Sequence, residues 1–488
     1  MEEHATYVRS ARNSPLRPAV AGYQAVSNKQ KDESGRDEAG KAEGGSHPSS
    51  FIVHPSSFSS WVVGLRRWFH QHPEPSFEER HTQDKLVEVL DSLGIENRRA
   101  GGTGVIATIY GKGKAPCIAL RTDMDALRIQ EAETELNREY RSENPGVMHG
   151  CGHDGHMAMV LGAARWLQEH RDTLAGNVRL VFQPAEEVLP GGAGSMIADG
   201  CLGGVGAIIA VHIFGNLPLG RIGFRPGPFM ASSRTFTVTI KGKPGHHMNP
   251  QDNIDPIQIA ARFISTIQAD IRLRMNPNAR YVLGFGEVHS GMQHNQTPAE
   301  ARVVGTFRAY DVRDSETIVT AIKANLDGLM AAFARPGTDA ETDTDATKTR
   351  NTRNGLVRDA GHDRNAGVSD RVPSPNVPSY VLDAEKSYPP LVNDPAFTRR
   401  AAEVLKAHFE DVDDDMEPNL GAEDFALYLQ EVPGLFMFLG GANPKRGITA
   451  MNHSDRFDMD EAVLPVGVNA LLTLATDFLQ NPAPYLTK

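Results

Sequence analysis

Three apolar runs in this chain each end on polar residues of a kind that can hold a metal ion, and this recurrence restricts the fold more than any other feature. Residues 116–120 run into Arg121-Thr122-Asp123-Met124-Asp125, residues 178–182 end at Gln183-Pro184-Ala185-Glu186-Glu187, and residues 207–211 end at His212. Runs this short, apolar but for Arg179 and bounded by polar turns, read as strands buried on both faces. Residues 104–110 read as a further strand. Helical spacing separates these runs, from Trp61 to Phe69, over 78–93 up to Gly94, and over 157–170. Strands alternating with helices predict an α/β domain built on parallel strands. Sheets of that kind bind ligands outside the carboxyl ends of their strands. Asp123, the Glu186-Glu187 pair and His212 are therefore expected at one rim.

A fourth element points to the same place. Met148-His149-Gly150-Cys151-Gly152-His153-Asp154-Gly155-His156 packs one thiol, three imidazoles and a carboxylate into nine residues. The glycines between them let backbone and ligands approach one point. Cys151 and His153, two apart, can reach one centre from a loop but not from one face of a helix. A lone Cys or His is commonly a core or capping residue, but packing does not explain four such elements converging on one sheet edge. His453, in Asn452-His453-Ser454-Asp455, is one further imidazole to bring there.

Glu186 and Glu187 are adjacent at a strand end, so their side chains diverge. One can hold metal while the other serves as acid and base. A hydrolase with two cations needs a bridging thiolate or carboxylate and terminal imidazoles or carboxylates. Cys151, His153, Glu187, His212 and His453 would fill such a set. Two cations ~3.5–4 Å apart lower the pKa of a bound water and polarise a carbonyl together. A thiolate favours Zn²⁺ over Mg²⁺ or Ca²⁺ on softness, leaving Mn²⁺, Co²⁺ and Ni²⁺ open.

The 488 residues exceed one compact domain. A net charge of −11 and a pI near 5.9 argue against nucleic acid or an anionic membrane as partner. Three cysteines fit a reducing compartment, Met1-Glu2-Glu3-His4 opens no signal peptide, and no unbroken apolar run reaches the ~18 residues that cross a bilayer. A cytoplasmic protein is expected. Residues 1–58, polar and without apolar periodicity, read as a disordered extension, and 59–228 as the first part of a catalytic domain. The pattern changes at 229. A strand at 235–241, a helix at 255–275 with an Asp255 cap and Pro256 in its first turn, strands at 281–288 and 301–310, a helix at 316–333 and a strand at 378–388 give a ferredoxin-like βαββαβ order over 229–388. Within it, residues 336–377, dense in Asp, Thr, Arg and Asn, read as a disordered insertion. The α/β style returns over 389–488, with a helix at 397–409, a strand at 435–439 and a helix from 461 to 479. Gly421-Ala422-Glu423-Asp424-Phe425 is expected to open another helix, with its acidic pair in the first turn.

Taken together, these motifs resemble the M20 metallopeptidase family, and most closely its branch of hippurate hydrolases, N-acyl-amino-acid amidohydrolases and auxin-conjugate hydrolases. The resemblance is carried by residues 121–127, 148–156 and 182–187, Ala210-Val211-His212, residues 242–256, Gly305-Thr306-Phe307-Arg308, residues 421–425 and Asn452-His453-Ser454. It implies a mixed-sheet, zinc-peptidase-like α/β catalytic domain interrupted by a ferredoxin-like lid or dimerisation domain. It implies two divalent cations per subunit, Zn²⁺ or Mn²⁺ ahead of Co²⁺ or Ni²⁺, on Cys151, His153, Glu187, His212 and His453, with Cys151 as the bridge. Glu186 aligns with the general base. Asp123 is a supporting acid, because Arg121 stands where other branches carry a His ligand. His246 of the lid would reach substrate in the partner subunit of a homodimer, and Asn295 and Arg308 align with lid positions that touch substrate. The expected substrate is an N-acyl amino acid. An M20 dipeptidase, carboxypeptidase or desuccinylase is the nearer alternative, and a catalytically silent metal-binding protein the more distant one. One departure stands out: His247-Met248-Asn249-Pro250-Gln251 replaces the small residues and Pro-His that follow the lid histidine in the branch, which bears on the shape of the substrate pocket.

Overall fold

The computed structural model describes residues 56–113, 115–335, 355–358, 376–384 and 388–486. Most of the expected N-terminal extension and most of the 336–377 insertion lie outside them. Ordered structure begins earlier than expected, because Ser56–Gln71 is one helix and Phe58 is buried in the core.

The main sheet has eight strands, in the spatial order Glu96–Ala100, Gly104–Ile109, Gly176–Gln183, Ala115–Asp123, Val205–Pro218, Gly434–Ala442, Ile222–Gly223 and Val412–Asp413. Its centre is parallel, the two strands at the Glu96–Ala100 edge run antiparallel to their neighbours, and at the other end Ile222–Gly223 is antiparallel to Gly434–Ala442 but parallel to the edge strand Val412–Asp413, so the sheet is mixed. Side chains alternate between two apolar layers. Ile118, Leu120 and Ile209 join one layer, and Cys117, Ala119 and Ile208 join the other. Both faces are covered, which is why the strands read as continuous apolar runs.

Helices His153–Glu169 and Val463–Gln480 cover the first face. The second is, among the described residues, the one helix long and apolar enough to cross a membrane, but here it is a core helix buried along most of its length. The two helices approach closely at Gly162, where a β-carbon would stand 2.8 Å from a methyl of Val468.

A second sheet has Tyr281–Ser290, Glu300–Ala309, Ser232–Lys241 and Ser379–Ala384 in antiparallel order, with Gly355–Arg358 added in parallel at the edge. Helices Pro256–Arg272 and Val312–Phe333 bury its inner face in a core of its own. This is the βαββαβ lid arrangement. The second helix starts four residues before the expected 316, because the Asp311 carboxylate accepts the Arg313 amide and caps it there. Of the expected 378–388 strand, Ser379–Ala384 is strand, and residues 385–387 lie outside the described residues. The two crossovers between the domains pair with each other, Leu391–Asn393 against Gly227–Met230.

Glycine placement gives a two-sided prediction. Gly162→Leu is expected to destabilise the fold by about 1–3 kcal/mol through overpacking. Gly64→Ala, in the open first helix with nothing within 4 Å of the new methyl, is expected to stabilise by roughly 0.5–1 kcal/mol. Urea unfolding midpoints of the two variants check both signs.

Candidate metal centre

The site lies where the parallel strands end. Asp123 is the last residue of its strand, and Glu186 and Glu187 follow Gln183 after a tight turn. His212 does not follow its strand as expected. The strand is longer than its apolar run and continues to Pro218, because His212 pairs in register with Phe438. The helix after Cys151 also begins four residues before the expected 157, at His153. Gly152 makes this possible: at φ +94° it is left-handed, and it turns the chain directly from Cys151 into the helix. Cys151 therefore sits just outside the helix and His153 in its first turn. His453 is held in the left-handed region too, at φ +69°, with its amide donating to the Gly150 carbonyl at 2.7 Å.

The structure brings together all five expected ligands. Donor atoms of Cys151, His153 and His212 lie within 4.8 Å of one another, and so do those of Cys151, Glu187 and His453. Cys151 belongs to both groups. The Cys151 Sγ is 3.5 Å from the His212 Nε2, and the Glu187 Oε1 is 3.8 Å from the His153 Nε2 and 3.4 Å from the His453 Nε2. The Glu186 carboxylate joins two groups, one with His153 and Glu187 and one with the carboxylates of Glu423 and Asp424.

The tautomers are set by the hydrogen bonds around the rings. His153 donates through Nδ1 to the Asp125 carbonyl at 2.8 Å, and His212 through Nδ1 to the Ile213 carbonyl at 2.9 Å. Each therefore leaves its Nε2 for the cluster, and that of His212 meets the Cys151 Sγ. The His153 Nε2 and the Glu187 Oε1 are buried without a hydrogen-bond partner. His156 is different: its Nδ1 donates to Asp123 at 2.7 Å and its Nε2 accepts from the Ile213 amide at 2.7 Å, so both nitrogens are used. His149 is buried and held neutral, chiefly by burial, with its pKa pushed down to about 3.

The electrostatics call for positive charge. Burial, then the charges of Glu187, Glu186 and Asp123, push the Cys151 thiol well above its ordinary value. Burial alone would lower His153, but Asp123, Asp125 and Glu187 outweigh it and raise it to about 10. Burial, and then His156, keep His212 neutral. Burial opposes ionisation of Asp123, yet His153, His156 and Arg121 hold it well below the usual carboxylate range. The Arg121 guanidinium, fully buried, binds Asp123 at 2.8 Å and Glu423 and Asp424 at 3.0 Å. Glu423 and Asp424 thus do not open a helix. The helix starts at Ala426, and the acidic pair is drawn inward to this cation.

Two residues of consequence carry signals that sequence reasoning passed over. Asp125 closes the Asp123-Met124-Asp125 motif. Its carboxylate accepts the Glu186 and Glu187 amides at 3.1 and 3.0 Å and the Ser76 hydroxyl at 2.6 Å. Asn452, beside His453, donates to the carbonyls of Cys151 and Ile213 at 3.1 and 3.0 Å. The three expected substrate residues lie elsewhere. His246 and Asn295 are exposed and sit together at a two-stranded ribbon of the lid, where the His247 amide donates to the Asn295 carbonyl at 3.1 Å. Arg308 donates to the Leu420 carbonyl at 2.7 Å, across to the first domain. Among the described residues, no contact joins these three to the Cys151 cluster.

Comparison with known proteins places this geometry. Residues 119–477 match the Peptidase family M20/M25/M40. Thermostable carboxypeptidase 1 of Saccharolobus solfataricus is 34% identical over 86% of this chain and 95% of its own length. IAA-amino acid hydrolase ILR1-like 4 of Arabidopsis thaliana is 34% identical over 88% of this chain and 89% of its own. A Bacillus subtilis crystal structure, described as a dinuclear metal binding peptidase from the M20 family, has a TM-score of 0.69 at 30% identity and covers 88% of this chain and 100% of its own. The chain belongs to the M20/M25/M40 family of metal-dependent amidohydrolases and peptidases.

Behind the centre, Asp154 joins a second buried network, with Arg66 and His70 each 2.8 Å from its Oδ2 and Glu131 3.0 Å from the far side of His70. Burial and Arg66 would lower His70, but Asp154 and Glu131 raise it to about 9. A raised histidine stabilises fully below its unfolded value near 6.5, and the contribution is lost as pH rises toward 9. Unfolding stability is therefore expected to fall across that window by roughly 2–3 kcal/mol. His70→Gln should flatten the profile, as denaturant titrations at stepped pH would show.

Proposed function

We propose that this protein hydrolyses the amide bond of N-acyl amino acids, giving a carboxylate and a free amino acid, with two divalent cations held around Cys151. The observation that carries the reading is that one thiol belongs to two donor groups, His153 with His212 and Glu187 with His453. The fit to cations rests on the His153 Nε2 and the Glu187 Oε1, both buried without a hydrogen-bond partner. It rests too on a thiol that only a neighbouring cation would hold ionised. Zn²⁺ or Mn²⁺ suits the mixed donor set, ahead of Co²⁺ or Ni²⁺. When bound, the cations would acidify a water and polarise the substrate carbonyl.

The chain's own residues do the rest. Glu186 takes a proton from the attacking water and delivers it to the leaving nitrogen. Burial, then Glu423, Glu187, Asp424 and Asp125, raise its proton affinity well above that of an ordinary glutamate, which suits a group that must hold a proton and return it. Asp123 keeps His156 and Arg121 in place and lends negative charge beside the His153 Nε2, which lies 3.7 Å from its Oδ2. His246 and Asn295 at the lid ribbon, with Arg308, are assigned to substrate. Exposed Ile257, Val288 and Met292 on the same domain suit a homodimer that brings one lid to the other subunit's site. The free thiols of Cys117, Cys151 and Cys201 suit a cytoplasmic location.

Support for the acyl-amino-acid substrate comes from the IAA-amino acid hydrolase among the relatives. The carboxypeptidase among them favours a second reading, hydrolysis of a peptide's last bond. A panel of N-acetyl, N-benzoyl and longer N-acyl amino acids, run beside dipeptides and N-blocked peptides with a chelator control, separates the two. Chelator-sensitive amino acid release from the acyl series, lost by about 10²–10⁴-fold in Glu186→Gln, is expected. Turnover confined to peptides would move the assignment to the carboxypeptidase reading, and wild-type rates in Glu186→Gln would remove its role.

A further inference from the structure

The turn that carries Glu186 is held by side chains from several distant segments. It opens with Ala185 at φ +51°, a left-handed conformation that a non-glycine residue keeps only where its surroundings impose it. The Ala185 amide donates to the Glu79 carboxylate at 2.8 Å. The Glu186 and Glu187 amides donate to the two oxygens of Asp125. These contacts fix the donor side of the turn. On the acceptor side, the Tyr388 hydroxyl donates to the Glu186 carbonyl at 2.9 Å, buried from solvent.

The Glu186 carbonyl and the Glu187 amide belong to one peptide unit, and a peptide unit is planar. Bonding its oxygen to Tyr388 and its nitrogen to Asp125 fixes that plane at both ends. The plane joins the proposed proton carrier to the proposed ligand, so its orientation sets how the two carboxylates diverge. Space for the tyrosine is made deliberately. Gly191, at φ +83°, faces it, and a β-carbon there would lie 2.9 Å from the Tyr388 ring and hydroxyl and 2.6 Å from Asp424. Tyr388 also stands in the returning crossover, between the lid strand Ser379–Ala384 and the Leu391–Asn393 strand of the paired crossovers.

We propose that Tyr388 is a positioning residue for Glu186: its hydroxyl locks the Glu186–Glu187 peptide and ties it to the crossover that carries the lid. This rests on the proposed function of Glu186 and Glu187. Without the hydroxyl, the carbonyl has no other protein donor among the described residues, the plane can rock about the Asp125 anchor, and Glu186 loses its aim while the substrate groups of the lid are untouched.

The test is Tyr388→Phe, which removes one oxygen and keeps the ring. Two readouts are taken on metal-loaded protein. The first is kinetic: kcat is expected to fall about 10-fold or more, as for other groups that orient a site residue, with KM nearly unchanged. The second is backbone amide exchange over residues 184–188, expected to speed up while exchange in the Val463–Gln480 helix stays at the wild-type rate. Exchange at the wild-type rate over 184–188 overturns the proposal, whatever the activity. Faster exchange with an unchanged kcat also overturns it, since the lock would exist without serving Glu186. Wild-type protein that turns over no acyl amino acid or peptide would count against the proposed function instead, and the exchange readout would still decide whether the lock exists.

Discussion

The Asp125 carboxylate receives two successive backbone amides, those of Glu186 and Glu187, while its own carbonyl receives the Nδ1–H of His153. One residue thus orients an imidazole from the helix and a pair of carboxylates from the neighbouring strand. Asp125 can do so because it stands two residues past the end of a strand buried from Cys117 to Asp123, whose partners fix its place. A short carboxylate accepting two amides and a hydroxyl is a rigid anchor, and charge-assisted hydrogen bonds of this kind are the stronger ones. If this anchor moved, both the bare Nε2 of His153 and the divergence of the glutamates would move with it.

Around that anchor the interior is rich in carboxyl groups. Asp123, Asp125, Glu186, Glu423 and Asp424 are all buried, and Arg121 is the fixed cation among them. Buried charge is costly unless it is paired. Arg121 shares its guanidinium among Asp123, Glu423 and Asp424, and Glu423 still holds its proton to about 8, first from burial. On the other side of Glu186 no arginine or lysine is in contact with Cys151 or Glu187 among the described residues. Arg121 therefore divides the site. A permanent cation is built in beside Asp123, Glu423 and Asp424, and on the proposed function the donor atoms around Cys151 are left for mobile cations.

Much of this was legible in the sequence, and the reasons are physical. Strands buried on both faces are apolar along their whole length, so their ends are visible, and so is the polar group after each end. The helices over 256–272 and 312–333 carry both apolar periodicity and caps. What stayed hidden depends on partners far away in the chain. Glu423 and Asp424 look like the first turn of a helix until Arg121, 302 residues earlier, is seen to bind them. His212 seemed to lie past its strand because the strand carries a polar residue where the site needs one. The helix at His153 starts early because Gly152 takes a conformation that composition alone does not reveal. Tyr388 was read as the end of a strand, and nothing local marks its hydroxyl as a partner of a carbonyl 202 residues away.

The central claim is that one thiolate serves two cation positions. Titration of metal-free protein with Co²⁺, followed by the thiolate-to-cobalt charge-transfer absorption, tests it most directly. Two ions per chain are predicted, with the absorption present in the wild type and absent in Cys151→Ser, which should also lose tight binding of at least one ion. A single ion per chain, or an absorption unchanged in Cys151→Ser, would contradict the account.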